Sequence, residues 1–195
     1  MRPDEGVFLS PVLAALAGLS EDRPRLITID GRCGSGKTTL AEKLRAVLRC
    51  PVFHTDDFVI PHARKTPERL AVPGGNEDVE RIVKEVLEPF FAGREIRARK
   101  YNWHTDAFED LAPVPPCRLM ILEGSYSNLP PLAERAALRV FLSVSPEKQM
   151  ERLRGRCSPE ALQGFVDRWI PLEEAYLKAY GLPDGGCLVL KEQRE

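Results

Sequence analysis

Paired cysteines are missing from this chain of 195 residues. Its five cysteines (Cys33, Cys50, Cys117, Cys157 and Cys187) are scattered, odd in number and form no C-x-x-C. That excludes a zinc ribbon and a disulfide framework, and it fits a reducing, cytoplasmic setting. Metal-ligand spacing is also absent. His54, His62 and His104 form no H-E-x-x-H and are expected to hold ordinary hydrogen-bonded or exposed positions. No apolar run approaches the ~20 residues that a membrane helix needs. The nearest mimic of a secretory signal, Val7 to Leu19, follows Asp4 and Glu5, which spoil a positive leader. There, Ser10-Pro11 reads as an N-cap and first-turn proline of a short surface helix. Excess charge is lacking too: 28 basic residues stand against 29 acids, a net charge of −1. No broad field exists to hold nucleic acid or an anionic membrane, and neither is expected as a partner. Repeats, low-complexity linkers, a G-x-S-x-G hydrolase pattern and a guanine-reading N-K-x-D are all absent.

What is present is ordinary globular composition, 43% hydrophobic and 29% charged, which excludes disorder and coiled coil. At about 150 residues per domain, the length predicts a single domain over residues 1–195. Arg25 to Asp30 (RLITID), Val52 to Thr55, Leu119 to Leu122 (LMIL), Leu138 to Val144 and Cys187 to Leu190 (CLVL) read as short buried strands. Between them lie helical patterns. One starts at Lys37, carries Leu40, Leu44, Val47 and Leu48 on one face, and ends at Pro51. A second, capped by Asn76, carries Val79, Ile82, Val83, Val86, Leu87, Phe90 and Phe91. Ser145-Pro146-Glu147 and Ser158-Pro159-Glu160 open two more, and Pro171 is expected to kink or divide the last. Residues 59–76 read as loop, and Arg94 to Leu111 as a polar, aromatic stretch. Strands alternating with amphipathic helices predict an α/β fold: a parallel sheet covered on both faces in three layers, with ligands at the carboxyl ends of the strands.

The decisive segment is Gly31-Arg32-Cys33-Gly34-Ser35-Gly36-Lys37-Thr38. It matches G-x-x-x-x-G-K-S/T and sits between a predicted strand and a predicted helix, the context that such a phosphate loop needs. Phosphate oxygens require converging N–H donors, and glycine lets the backbone come close enough. The following helix, with Thr39 in its first turn, adds its positive end. Lys37 should reach the β- and γ-phosphates of ATP, and Thr38 should offer its hydroxyl to Mg2+. A G-x-G-x-x-G dinucleotide fingerprint does not fit this spacing. Cys33, near a helix N-terminus, is either a thiol of lowered pKa or a small filler.

Two acids follow at strand ends. The second strand runs into His54-Thr55-Asp56-Asp57-Phe58, so Asp56 is placed to take a proton from an attacking hydroxyl or to help hold magnesium. The competing reading is an acid pair that caps the next segment. Glu123 ends the third strand after four apolar residues, the position of an acid serving a magnesium site. Otherwise it is an exposed strand-end acid.

Gly31 to Leu40, Asp56-Asp57-Phe58, Ile121 to Tyr126 (ILEGSY) and the arginines near Arg152 together resemble the uridine kinase and phosphoribulokinase family of phosphate-loop kinases. The likeness runs in order from about residue 25 to 181. It implies a nucleoside kinase-like fold with a helical lid, a core of about 24–145 and 181–195, an acceptor-binding insertion of about 59–112 and a lid of about 146–170. It also implies that Asp56 is the base, with Phe58 at the aromatic position, and that Glu123-Gly124 is the family's acid–glycine step. The lid arginines fall on Arg152, Arg154 and Arg156, whose cationic forks suit charge on a transferred phosphoryl group. Arg152 and Arg156 alternatively coat a solvated helix face.

The chain departs from the family at two places. Where uridine kinases carry a Y-D-F-x-x-H type segment, it has Tyr101-Asn102-Trp103-His104-Thr105-Asp106. Tyr101 and Trp103 either stack on a substrate ring or pack beneath a loop. The lid pattern R-D-x-x-x-R-G-R is replaced by Met150-Glu151-Arg152-Leu153-Arg154-Gly155-Arg156. Within Pro73 to Asp78, Asp78 either binds sugar hydroxyls or is a first-turn acid behind the Asn76 cap.

The sequence therefore predicts an ATP- and Mg2+-dependent transferase that moves the γ-phosphoryl group to a hydroxyl of a small metabolite. By resemblance a nucleoside such as uridine or cytidine leads, with pantothenate, a sugar or another small alcohol as alternative acceptors. The rival from another class is a nucleotide-hydrolysing switch or assembly protein. Homo-oligomerisation is left open.

Overall fold

The computed structural model describes residues 8–191. A five-stranded sheet forms its centre: β1 (Arg25–Gly31), β2 (Val52–His54), β5 (Leu119–Glu123), β6 (Leu138–Ser143) and β7 (Cys187–Lys191), in the order β2-β5-β1-β6-β7. Every pairing in it is parallel. β3 (Arg99–Asn102) and β4 (Ala107–Asp110) form a separate antiparallel pair.

Side chains alternate across the sheet, and this builds two cores. Ile27 and Ile29 of β1, Ile121 of β5, and Val140 and Leu142 of β6 face one side. There they meet Val12 and Leu16 of α1 (Leu9–Ala17) and Leu40, Ala41 and Leu44 of α2 (Lys37–Leu48). Leu26, Met120, Leu122 and Phe141 face the other side. That layer is covered by the helical run 79–91, by Leu132 of α6 (Pro130–Ala133), and by Tyr176 and Leu177 of α9 (Ile170–Ala179). The run 79–91 comprises α4 (Val79–Ile82), a π turn (Val83–Leu87) and α5 (Glu88–Phe91). Three layers result, as the alternation of strands and helices predicts. A short helix, α3 (Pro67–Ala71), lies in the segment read as loop.

Register sets the site. Ile29 pairs with Glu123, Glu123 with His54, and Gly31 with Leu142. The carboxyl ends of β1, β2 and β5 are therefore level, and their following loops share one edge. At Gly31 (φ +139°) an added Cβ would lie 2.3 Å from the carbonyl oxygen of Leu142. At Gly124 (φ +136°) it would lie 2.0 Å from Thr55 Oγ1. Only glycine fits either turn.

Several expectations need correction. The first helix does not merely lie on the surface, because Val12 and Leu16 are fully or nearly buried against the sheet; Phe8 precedes it, Ser10 and Pro11 fall inside it, and Val7 lies outside the described residues. Val47 and Phe91 leave their apolar stripes and are exposed at 55% and 37%. The cap of the helical run is Asp78, not Asn76: its carboxylate accepts from Arg81 N–H at 3.3 Å, while the Asn76 amide donates to Glu77. The stretch 94–111 folds into the β3–β4 hairpin, held by polar cross-strand contacts of Lys100 and Asn102 with Glu109 that carry no apolar alternation to read. Pro171 does not divide its helix. A π turn, Phe165–Trp169, joins α8 (Pro159–Gly164) to α9 in one continuous helical run, and it lies directly before Pro171, the kind of local irregularity that accommodates a proline inside a helix. Ser145 and Ser158 cap α7 (Pro146–Arg154) and α8 through their hydroxyls.

Candidate functional site

The phosphate loop leaves central β1 and enters α2. Gly36, left-handed at φ +99°, precedes α2, and no side chain caps the helix. Its first-turn N–H groups thus carry no built-in acceptor, and its dipole faces an open end. Lys37 is buried. Its ammonium donates to the carbonyl oxygens of Gly31 (2.7 Å) and Arg32 (3.0 Å) and approaches Ser125 Oγ at 3.3 Å. Thr38 Oγ1 donates to Glu123 Oε1 at 3.0 Å, and His54 Nδ1 lies 2.5 Å from the same oxygen. The bond to Glu123 raises the His54 pKa. Thr39, beside Thr38, is exposed.

Asp56 is the second residue of the 3-10 turn Thr55–Phe58, which follows β2 directly. The residue is exposed, while its carboxyl sits among enough protein to be partly desolvated, which raises its pKa; Lys37 opposes that rise, and Glu123 and Asp57 add to it. Lys37, Thr38, Asp56 and Glu123 therefore meet at one edge of the sheet. Among the described residues, Ser35 Oγ and Glu123 Oε2 are buried with no hydrogen-bond partner. A phosphate oxygen and a hard cation are the ligands these two atoms suit, since Mg2+ takes oxygen donors and phosphate takes O–H donors. No group of three or more histidines, cysteines or acids among the described residues forms a self-sufficient metal cage. A magnesium ion here would be shared with nucleotide phosphates, with Thr38, Asp56 and Glu123 as the protein's part.

The other expected residues are placed as follows. Cys33 does not carry a lowered pKa: burial and then Glu173 push its thiol up to about 12, so it is a small filler. Its sulfur accepts from the Gln149 amide at 3.0 Å. Arg152 donates to the carbonyl oxygens of Gly34 (3.1 Å) and Ser35 (3.4 Å), against the phosphate loop. Arg154 is exposed, and Arg156 lies 5.7 Å from the Phe165 ring. Phe58 is fully buried, with the Arg81 guanidinium 4.6 Å above its ring. The Asp78 carboxylate, besides capping its helix, pairs with Arg64 at 2.8 Å and Arg81 at 3.4 Å. Tyr101 is buried; its hydroxyl donates to Asp106 and accepts from His62 N–H at 3.1 Å. Trp103, at 58% exposure, stacks on His104 with centroids 3.6 Å apart.

The sequence reading missed Ser125, Asp30, Glu173 and Glu174. Both Glu173 oxygens lie 3.0 Å from Cys33 N–H, and Oε1 also accepts from Ser125 Oγ at 2.6 Å. Glu174 grips Arg32 through two bonds, at 2.5 and 2.9 Å. Buried Asp30 accepts from Gly31 N–H (2.6 Å), Asn128 N–H (2.9 Å) and Tyr176 O–H (2.7 Å). Burial raises its pKa, and the Tyr176 bond opposes that. Helices α7 and α9 are thus both fastened to residues 30–35. The one signal for Asp30 was an acid at the end of an apolar strand; Glu173 and Glu174 carried none.

No family model matches the sequence, and no curated protein matches it either. Solved structures do. A possible uridine kinase from Bacillus stearothermophilus superposes with a TM-score of 0.72 at 20% identity, over 93% of this chain and 96% of that one. The chain has the fold of the phosphate-loop kinases. A protein provisionally described as a fructose transport system kinase, from a Silicibacter species, gives a TM-score of 0.70 at 21% identity over 97% and 98% of the two chains. D-Glycerate 3-kinase from Cryptococcus neoformans gives 0.56 at 13% identity, over 96% and 93%. Within this phosphate-loop kinase fold, the site described above occupies the carboxyl edge of the parallel sheet, where such sheets bind ligands.

Proposed function

We propose that the protein transfers the γ-phosphoryl group of ATP, with Mg2+, to a hydroxyl group of a small metabolite, a nucleoside first among the candidates. The observation that carries this reading is the meeting of Lys37, Thr38, Asp56 and Glu123 at one sheet edge. Phosphate-loop hydrolases use a comparable set; the likeness of the fold to small-molecule kinases is what favours an alcohol over water as the acceptor. Asp56, set apart from the loop and of raised pKa, supplies the proton acceptor that an attacking alcohol requires.

In this mechanism the loop amides and Lys37 hold the triphosphate, and Lys37 leaves its resting carbonyl partners to reach the phosphates. Asp56 orients the acceptor hydroxyl and takes its proton as the new O–P bond forms and the bond from the γ-phosphorus to the bridging oxygen breaks. When bound, magnesium neutralises phosphate charge. Arg152, on α7 beside the loop, and Arg156 serve a lid made of residues 146–170 that excludes water. Tyr101 and Trp103 belong to the hairpin on the acceptor side. Catalysis on this account is mostly positioning and charge neutralisation.

The test is incubation with γ-labelled ATP, Mg2+ and a panel of uridine, cytidine, pantothenate, D-fructose and D-glycerate. Label in a phosphorylated acceptor supports the reading. Free phosphate alone, unchanged by every acceptor, contradicts it.

A further inference from the structure

Arg81 of α4 stands where three parts of the molecule meet, and it is buried. Its Nε pairs with Asp78 at 3.4 Å, and Nη1 lies 3.8 Å from Glu85. Two of its donors go to main-chain oxygens instead: Nη2 to the Asp57 carbonyl at 3.2 Å, and Nη1 to the Arg99 carbonyl of β3. The same guanidinium carbon lies over two rings, 4.6 Å from the centroid of Phe58 and 5.0 Å from that of Phe108 in β4. Burial disfavours the cation, and an apolar side chain would fill the space at lower cost. What it would lack is the planar fork that reaches two carbonyls at once and stacks on aromatic rings.

The two carbonyls belong to the turn that carries Asp56 and to the β3–β4 hairpin. Within the turn, Thr55 Oγ1 donates to the Ser125 carbonyl at 2.9 Å, and Ser125 Oγ lies 3.3 Å from the Lys37 ammonium. At the other end the Phe58 carbonyl accepts from Asp78 N–H at 2.7 Å, and Arg81 holds the Asp57 carbonyl between them. Asp56 is thus anchored toward the phosphate loop through Thr55 and away from it through Arg81 and Asp78. In the hairpin, Arg99 opens β3 two residues before Tyr101, and the Phe108 ring packs on Tyr101 with centroids 5.5 Å apart. One guanidinium therefore sets the spacing between the Asp56 turn and the hairpin.

We infer that Arg81 is a positioning residue for phosphoryl transfer: through the Asp57 and Arg99 carbonyls it fixes Asp56 relative to the β3–β4 hairpin, so that an acceptor hydroxyl on that side meets its base in reacting geometry. The inference rests on the kinase reading above and holds for any acceptor seated between the turn and the hairpin. Arg81 acts on the reaction through the backbone of both elements. Precise placement is what such a residue supplies, since a shift of about 1 Å at a reacting group can cost about 10²-fold in rate.

The experiment compares wild type, Arg81→Lys and Phe108→Leu in labelled transfer from ATP to whichever of uridine, cytidine, pantothenate, D-fructose and D-glycerate wild type phosphorylates fastest. Rates are expressed per ATP site counted by calorimetry, which removes any loss of folded protein from the comparison. Lysine keeps a positive charge beside Asp78 and Glu85 but cannot set a planar fork on both carbonyls. Arg81→Lys should lower kcat about 10–100-fold and keep the ATP KM within about twofold. Phe108 is 42% exposed, so Phe108→Leu loosens the guanidinium from the hairpin side without opening the core; it should lower kcat about threefold in the same pattern. A purely structural role would lower the thermal midpoint and the number of ATP sites and leave kcat per site unchanged. That result in Arg81→Lys, or a loss of kcat accompanied by an equal rise in ATP KM, overturns the inference and leaves the kinase reading standing. Where Arg81→Lys yields no ATP sites, Phe108→Leu decides by the same criteria. Release of free phosphate alone by wild type overturns both.

Discussion

Lys37 and Ser125 lie 3.3 Å apart, nitrogen to hydroxyl oxygen, although 88 residues separate them in sequence. The contact ties the phosphate loop after β1 to the turn after β5, and Glu173 closes it by accepting from Ser125. The loop's ammonium thus rests on its own backbone within a frame that reaches α9.

Removing that ammonium should be decisive. Lys37→Ala is expected to abolish turnover and to weaken ATP binding by about 10–100-fold, the loss of one charge-assisted contact. Initial rates and calorimetry on the same preparation check it, and a wild-type rate contradicts it.

Asp56 is assigned to the acceptor's proton. Asp56→Asn should lower kcat by about 10²–10⁴-fold while ATP affinity stays near wild type. The raised Asp56 pKa also places the acid limb of the rate profile above the ordinary carboxylate value of 3.8. An unshifted profile in Asp56→Asn would remove it from this role.

Glu123 has one oxygen free of protein partners and shares the other with Thr38 and His54. Glu123→Gln should therefore raise the Mg2+ concentration for half-maximal rate by about tenfold or more. A titration of rate against Mg2+ reads this directly, and an unchanged midpoint contradicts it.

Glu77 predicts a pH signature in stability. Its pKa in the folded chain is well above the ordinary 4.5, because burial disfavours the charged form. The native state then binds more protons than the unfolded chain above that ordinary value, so its contribution is full below it and falls as pH rises. Glu77→Gln cannot ionise. Its thermal midpoint relative to wild type should climb between pH 5 and 8, and a flat difference would contradict the buried, uncompensated carboxyl.

Gly31→Ala should destabilise the fold by about 3 kcal/mol or more, from a clash with the Leu142 carbonyl and a strained φ. Urea unfolding is the check.

The legible parts of this molecule were local. Residues 31–38 carry their chemistry in adjacent positions, and RLITID, LMIL and CLVL read as strands because their apolar runs are bounded by turn residues. The Ser-Pro-Glu starts of α7 and α8 were readable because a capping hydroxyl, a first-turn proline and a first-turn acid act within one turn. Pairings across the chain left no such trace. Glu173 meets Cys33 across 140 positions, and a helical acid looks the same whether it is solvated or gripping a loop amide. The β3–β4 hairpin escaped because its partners are polar, and Asp78 displaced Asn76 as cap because the strand-like bridge to Val59 holds the chain extended through Glu77.

The account depends most on the loop from Gly31 to Thr38 gripping a nucleoside triphosphate. Isothermal titration of ATP with Mg2+ into the full chain measures this directly. Saturable one-site heat that largely disappears in Lys37→Ala is the result expected. Absence of heat with ATP, in a chain shown by its thermal transition to be folded, would contradict it.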